Sequence, residues 1–217
     1  DESAKYVNSP TTVIYNKSRI LYGLHVSKQE IRKKETAIVV EGYLDFLQLF
    51  QSGIENCVAI SGTAFTDQHA LQLKRYCKKV FLAYDGDSAG KAAAIKAGYA
   101  LLRSGLSAHI INIPEELDPD DWIKQDGNEP FLKALESSEK ILPFHYHNYS
   151  GDLSSTSGKS TFVSDVLIEL AQIKDPVVRE LQARALSELI QISPNSIFEA
   201  LQALLNRNQK KKSINTK

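Results

Sequence analysis

Two short apolar runs, each stopping at a carboxylate followed by glycine, constrain this chain more than any other feature. The first reads Thr36-Ala37-Ile38-Val39-Val40-Glu41-Gly42, the second Val80-Phe81-Leu82-Ala83-Tyr84-Asp85-Gly86-Asp87. Both are β-rich and almost uncharged up to the acid, which suits strands buried on both faces of a parallel sheet. Open α/β sheets gather their chemistry in the crevice beyond the carboxyl ends of the strands. Glu41, Asp85 and Asp87 are therefore expected at one edge, although they are far apart in the chain. A single acid at a strand end is commonplace, for instance as a helix cap. A glutamate joined by an Asp-x-Asp is a better metal-site candidate.

Helical stretches separate the runs. Residues 43–52 place Tyr43, Leu44, Leu47 and Phe50 on one face. A strand at 58–60 leads into Ser61-Gly62-Thr63, and Thr66 or Asp67 can cap a helix reaching about residue 77. The alanine-rich stretch Ser88–Arg103 closes at Gly105. A fourth strand at 109–113 runs into Glu115-Glu116-Leu117-Asp118-Pro119-Asp120-Asp121. Strand and helix thus alternate four times over residues 36–140, the pattern of an α/β, doubly wound, mostly parallel sheet.

The flanks differ. Residues 1–35 read as irregular structure with a short helix at 27–34, the end of an upstream subdomain. Residues 141–207 read as an α-helical bundle of three amphipathic helices behind a Ser/Gly-rich stretch at 151–158. Val178, Leu181, Ala185 and Leu189 line its second helix, and Pro176 and Pro194 each stand at a helix start. Residues 208–217 are expected to be a disordered tail.

The 26 basic and 26 acidic residues cancel, so net charge says nothing about partners. Their distribution says more: residues 1–35 hold seven basic against four acidic side chains, and residues 115–129 hold seven acidic against one basic. A basic front beside an acidic centre fits a protein that holds cations in one place and polyanions next to it. The two cysteines, Cys57 and Cys77, lie in or beside apolar runs and read as reduced core residues, without partners for a zinc site. No run approaches the roughly 20 apolar residues of a membrane span. The expectation is a cytosolic chain, and the opening Asp1 fits a piece of a longer protein.

Glu41, Asp85 with Asp87, and Asp118 with Asp120 and Asp121 would converge at the carboxyl edge. Like charges brought this close raise one another's pKa unless a cation neutralises them. Hard oxygen donors select Mg²⁺, Mn²⁺ or Ca²⁺. In Asp85-Gly86-Asp87 the middle glycine relieves backbone strain so that both acids face one way. The competing reading of Asp118–Asp121 is a cap for a helix beginning near Trp122. The basic-aromatic mixture of residues 1–35 can grip a phosphate backbone and stack on bases, or be a solvated linker with two packed tyrosines. Gly151 to Ser160 ends like a P-loop, but its glycines are too widely spaced and no strand precedes it. His145 and His147 have no ligand set nearby and read as core or surface residues.

Val40-Glu41-Gly42-Tyr43-Leu44-Asp45, Ser61-Gly62-Thr63-Ala64, Tyr84-Asp85-Gly86-Asp87-Ser88-Ala89-Gly90 and Asp118-Pro119-Asp120, in this order, resemble the TOPRIM domain. More narrowly, they resemble that of bacterial DnaG-type primases. Lys5-Tyr6-Val7-Asn8-Ser9-Pro10 and Lys17-Ser18-Arg19-Ile20-Leu21-Tyr22-Gly23-Leu24 resemble the primase basic stretch, and the last three helices resemble the bundle closing its catalytic core. Leu44 stands where that family usually has methionine, a tolerable swap. The resemblance implies a nucleotidyltransferase that makes short RNA primers on single-stranded DNA in the cytoplasmic bacterial replisome. It implies Glu41 as the essential acid near the reacting hydroxyl, with Asp85 and Asp87 also catalytic. Glu41, Asp85, Asp87, Asp118 and Asp120 would hold Mg²⁺ or Mn²⁺. Lys5, Tyr6, Asn8, Lys17 and Arg19 would face nucleotide and template, with NTPs and an RNA–DNA hybrid as further partners. A zinc-binding domain is expected upstream of Asp1, and a domain binding the replicative helicase beyond Lys217. The alternatives are another TOPRIM activity, as in topoisomerases or nucleases, and a non-enzymatic receiver-like domain. The first lacks a separate domain bearing a nucleophilic tyrosine, the second a lysine from a later strand.

Overall fold

The computed structural model describes residues 16–60 and 62–215, with side chains described through residue 209. The first helix, α1 (Leu24–Lys34), leads into β1 (Thr36–Val40), α2 (Tyr43–Gln51), β2 (Cys57–Ala59), α3 (Asp67–Leu73), β3 (Lys79–Leu82), α4 (Ser88–Arg103) and β4 (Ser107–Ile110). Then come α5 (Pro119–Asp126), α6 (Asn128–Glu136), β5 (Glu139–Lys140) and α7 (Ile141–His147). Three longer helices finish the chain: α8 (Thr156–Leu170), α9 (Pro176–Ile190) and α10 (Pro194–Asn215).

The strands form one sheet in the order β2-β1-β3-β4-β5, parallel except for the antiparallel β5. Strand order reverses between β1 and β3, where Val39 stands opposite Leu82. This is the switch point at which a doubly wound sheet opens its crevice. Side chains alternate across the sheet as the pleat requires. Ala37, Val39, Val80 and Leu82 join a core with α3, α4 and the C-terminal helices. Ile38, Val40 and Ala83 join the opposite core with Phe46 and Leu49 of α2, Trp122 of α5 and Phe131 of α6. The first core is continuous from Leu82 to Ala183, Leu186 and Leu201, so the C-terminal helices pack on the sheet layer itself.

Several expectations shift. The helix expected at 27–34 begins at Leu24. Strands β3 and β4 start and stop earlier than expected, because their ladder runs from Lys79 and Ser107 to Leu82 and Ile110. The helix expected to begin near Trp122 begins at Pro119, capped by Asp118, and a further helix, α6, follows it after Gly127. Helix α9 turns a rotated face inward: Ala183, Leu186 and Ile190 are buried, Val178 and Leu189 pack partly against the core as expected, and Ala185 and Leu181, the latter 58% exposed, face out. With Val177 and Leu181 apolar as well, the helix has no single hydrophobic stripe, and its neighbours choose the face. The tail expected to be disordered from Asn208 is helical to Asn215. Gln and Lys are good helix formers, and lysines near a helix C-terminus complement its dipole. Among the described residues, no helix is long and apolar enough to cross a membrane.

Candidate metal centre

Glu41 follows the last residue of β1, and Ala83 still donates its N–H to the Val39 carbonyl at 2.9 Å. That bond sets the two neighbouring strand ends level and brings Glu41 beside Asp85. Asp87 is exposed and caps α4, its Oδ1 accepting the Gly90 N–H at 2.7 Å. Gly86 does not adopt a left-handed conformation, so relief of strain is not its role. A Cβ there would stand 1.9 Å from the Pro114 carbonyl oxygen, and the Gly86 N–H donates to the Leu117 carbonyl at 2.9 Å. Glycine is needed because the acidic loop after β4 lies directly on the Asp85–Asp87 turn.

That loop delivers Asp118, Asp120 and Asp121, whose oxygens lie within 4.8 Å of one another, a candidate metal site. Asp118 is also the cap of α5, accepting the Asp121 N–H at 2.7 Å. Asp120 is buried and paired with Lys124, Nζ to Oδ2 2.6 Å. Capping and clustering therefore coexist in the same residues.

Asp45 joins the two acidic turns. Its side chain is 5% exposed. Oδ2 accepts the Gly42 N–H at 2.8 Å and Oδ1 the Asp120 N–H at 3.3 Å, so one carboxylate braces the Glu41 turn and the start of α5. Site reasoning from the sequence passed over Asp45, although it stands in the quoted motif. Its place three residues after Gly42, where an acid reaches back to the N–H of the helix cap, was the available signal.

The electrostatics are those of crowded acids. Burial, then the Asp85 charge, pushes the Glu41 carboxyl from 4.5 to about 7, against a hydrogen bond from the Asp85 backbone. Burial, then the charges of Asp118 and Asp85, pushes Asp45 from 3.8 to about 7, although backbone N–H groups oppose it. Asp85 is also raised, by burial and by Asp118 and Asp87. Glu41 Oε1 is buried and has no hydrogen-bond partner among the described residues, and the same holds for the Tyr84 hydroxyl. An orphaned carboxylate oxygen among repelling carboxylates is what a hard cation would satisfy. Glu41, Asp45, Asp85 and Asp118 line one cleft of about 820 Å³, with Phe65 and Lys96 on its wall.

A basic strap, described from Asn16 to Tyr22, packs on α3 and β2 next to Phe65 and Tyr43 of the cleft wall. Its described part carries Lys17, half-buried, and Arg19, exposed. Lys5, Tyr6 and Asn8, expected in the same role, lie outside the described residues. At its end Tyr22 bridges to Ala59 of β2, and its ring meets that of Tyr43 edge-on at 4.6 Å. Elsewhere the histidines have local partners: His145 bonds the Tyr99 hydroxyl at 2.8 Å, and His147 bonds Glu139. Both cysteines are buried and free, their thiols pushed up to about 12 by burial.

A family model described as Toprim-like matches residues 38–123, spanning the sheet and the acidic turns. A second, described as the DnaB-helicase binding domain of primase, matches residues 150–195. Helicase binding was expected beyond Lys217; this match falls inside the chain, on α8 and α9. The DNA primase of Listeria monocytogenes is 33% identical over 99% of this chain and 35% of its own length. A DNA primase domain from Pseudomonas aeruginosa superposes with a TM-score of 0.81 at 30% identity, over 93% of this chain and 65% of that one. A DnaG primase catalytic domain bound to ssDNA gives 0.77 at 31% identity, over 90% and 64%. The chain thus spans about a third of the length of the curated primases it matches. With motif order, sheet topology and these matches in agreement, the chain belongs to the DnaG-type DNA primase family and carries the Toprim-bearing part of its catalytic core.

Proposed function

We propose that this chain carries the metal-dependent centre with which a replicative primase joins ribonucleoside triphosphates into short RNA primers on single-stranded DNA in the cytoplasm. The observation that carries the reading is the meeting of Glu41, Asp85 and Asp118 in one cleft, with a buried Glu41 oxygen unpartnered among the described residues. Glu41, Asp85, Asp87, Asp118 and Asp120 are assigned to Mg²⁺ or Mn²⁺, and Asp121 joins them on geometry. Cations held by these residues would supply charge neutralisation and alignment for an in-line phosphoryl transfer.

The chain's own residues do the rest. Glu41 and Asp85, at adjacent strand ends, would hold the cations that face the triphosphate, with Glu41 nearest the reacting hydroxyl. Asp87 is fixed by its bond to Gly90, and Asp45 keeps the Glu41 turn and the Asp120 N–H together. Lys17 and Arg19, with Lys5, Tyr6 and Asn8, meet the phosphates and bases of template, nucleotide and the RNA–DNA hybrid. The match at 150–195 supports a replicative helicase as partner, reached through α8 and α9.

Calorimetry with Mn²⁺ tests the centre. The native chain is expected to bind in the micromolar-to-millimolar range, and Asp85→Asn/Asp87→Asn to lose that binding while remaining folded. Equal binding by both overturns the assignment. The chain alone is expected to make little or no primer, because much of the template surface belongs to the longer protein; robust synthesis by this chain contradicts that.

A further inference from the structure

Three consecutive carbonyls of the basic strap are each held by a different side chain from α3 or its cap. The Lys17 carbonyl meets His69 Nε2 at 2.9 Å. The Ser18 carbonyl accepts from Thr66 Oγ1 at 2.6 Å, and the Arg19 carbonyl from Gln72 Nε2 at 2.5 Å. The three holders recur at every third position, so the cap and one face of α3 are given over to the strap.

His69 is the centre of this latch. It is fully buried, with Phe65 tilted against it at 5.5 Å. Its Nδ1 accepts the Thr66 N–H at 3.2 Å, which leaves Nε2 as the donor of the neutral ring, aimed at the Lys17 carbonyl. Burial, the larger effect, lowers its pKa and keeps it in that neutral form.

Every bond of the latch goes to main chain, so no strap side chain is consumed by it, and Arg19 stays exposed. The strap is also tied at its far end, where Tyr22 N–H donates to the Ala59 carbonyl at 2.8 Å and Ala59 returns the bond at 3.0 Å. Its ring stands against Tyr43, two residues from Glu41. A short cationic segment fastened at both ends, the second beside the acidic turn, holds its charges at a set distance from the cleft.

We infer that Thr66, His69 and Gln72 are positioning residues for a single-stranded polynucleotide: they pre-order the strap so that Lys17 and Arg19 meet its phosphates without an ordering cost on binding. The inference rests on the strap's role under the proposed function. Pre-ordering acts on affinity, whereas the number of phosphates neutralised is set by the cations alone. The two contributions therefore separate in a salt titration.

The test is fluorescence anisotropy of labelled oligo(dT) with this chain at several salt concentrations, alongside Mn²⁺ calorimetry. Gln72→Leu, Thr66→Val and His69→Gln are expected to weaken binding about three- to tenfold, with the salt slope and Mn²⁺ affinity unchanged. Lys17→Ala/Arg19→Ala is expected to weaken binding and flatten the slope by about one to two. Native affinity in folded latch variants, with the cation variant impaired, overturns the latch while leaving the strap's role intact. Native affinity in the cation variant overturns the strap's role and the latch together. Gln72 is only half-buried, so its variant carries the test if His69→Gln does not fold.

Discussion

At the turn after β3, a methyl group on Gly86 would collide with the Pro114 carbonyl oxygen and crowd that of Ile113. Backbone cannot swing aside like the end of a flexible side chain, so the loop carrying Asp118 would have to retreat from Asp85. Gly86→Ala is therefore expected to cost about 1–3 kcal/mol, as overpacking does, and to weaken Mn²⁺ binding. Urea unfolding and calorimetry check the two effects, and a variant of native stability would contradict the close approach. Asp45 makes the complementary case. Its removal strands the Gly42 and Asp120 N–H groups, and an unsatisfied buried donor costs about 1–3 kcal/mol. Asp45→Ala is expected to lose that much in urea unfolding near pH 4, where the carboxyl is protonated in the folded chain and only partly ionised in the unfolded one, so that little of its ionisation cost is relieved by the change. A loss under about 0.5 kcal/mol, the scale of an ordinary surface substitution, would mean that Asp45 does not brace the turns.

Elements were legible where local chemistry marks both ends. Helix α4 runs Ser88–Arg103 as expected, because Asp87 caps its start and Gly105 lies just past its end. Strand β5 was not legible: two residues, Glu139 and Lys140, become a strand only by pairing with Ile110 and His109. Helix α9 failed in a third way, since its sequence offers more than one apolar face and the packed neighbours selected Leu186 over Leu181. Leu186→Ala is expected to cost about 2–5 kcal/mol as a core truncation, and Leu181→Ala under about 0.5 kcal/mol. Reversed magnitudes in urea unfolding would mean that α9 is turned the other way.

For the molecule as a whole, the acidic cleft makes folding oppose ionisation. Glu41 and Asp45 rise from 4.5 and 3.8 to about 7 on folding, so between about pH 4 and pH 7 the folded chain binds more protons than the unfolded one. The contribution of these groups to stability therefore falls as pH rises through that window. Thermal melts in chelator are expected to decline from pH 5 to pH 8, and saturating Mn²⁺ to remove much of the decline by neutralising the carboxylates. Stability that is flat or rising over this range in chelator would contradict the crowding. The sequence by itself determined the alternating strands and helices, the acids that end them and the cap residues, because these depend on periodicity and on neighbours within a turn. Only the tertiary structure decided that Asp45 braces two turns, that Gly86 exists for the passage of another loop, and that α3 holds the basic strap. Each of those depends on groups brought together by the order of strands in the sheet, a distance no local pattern encodes.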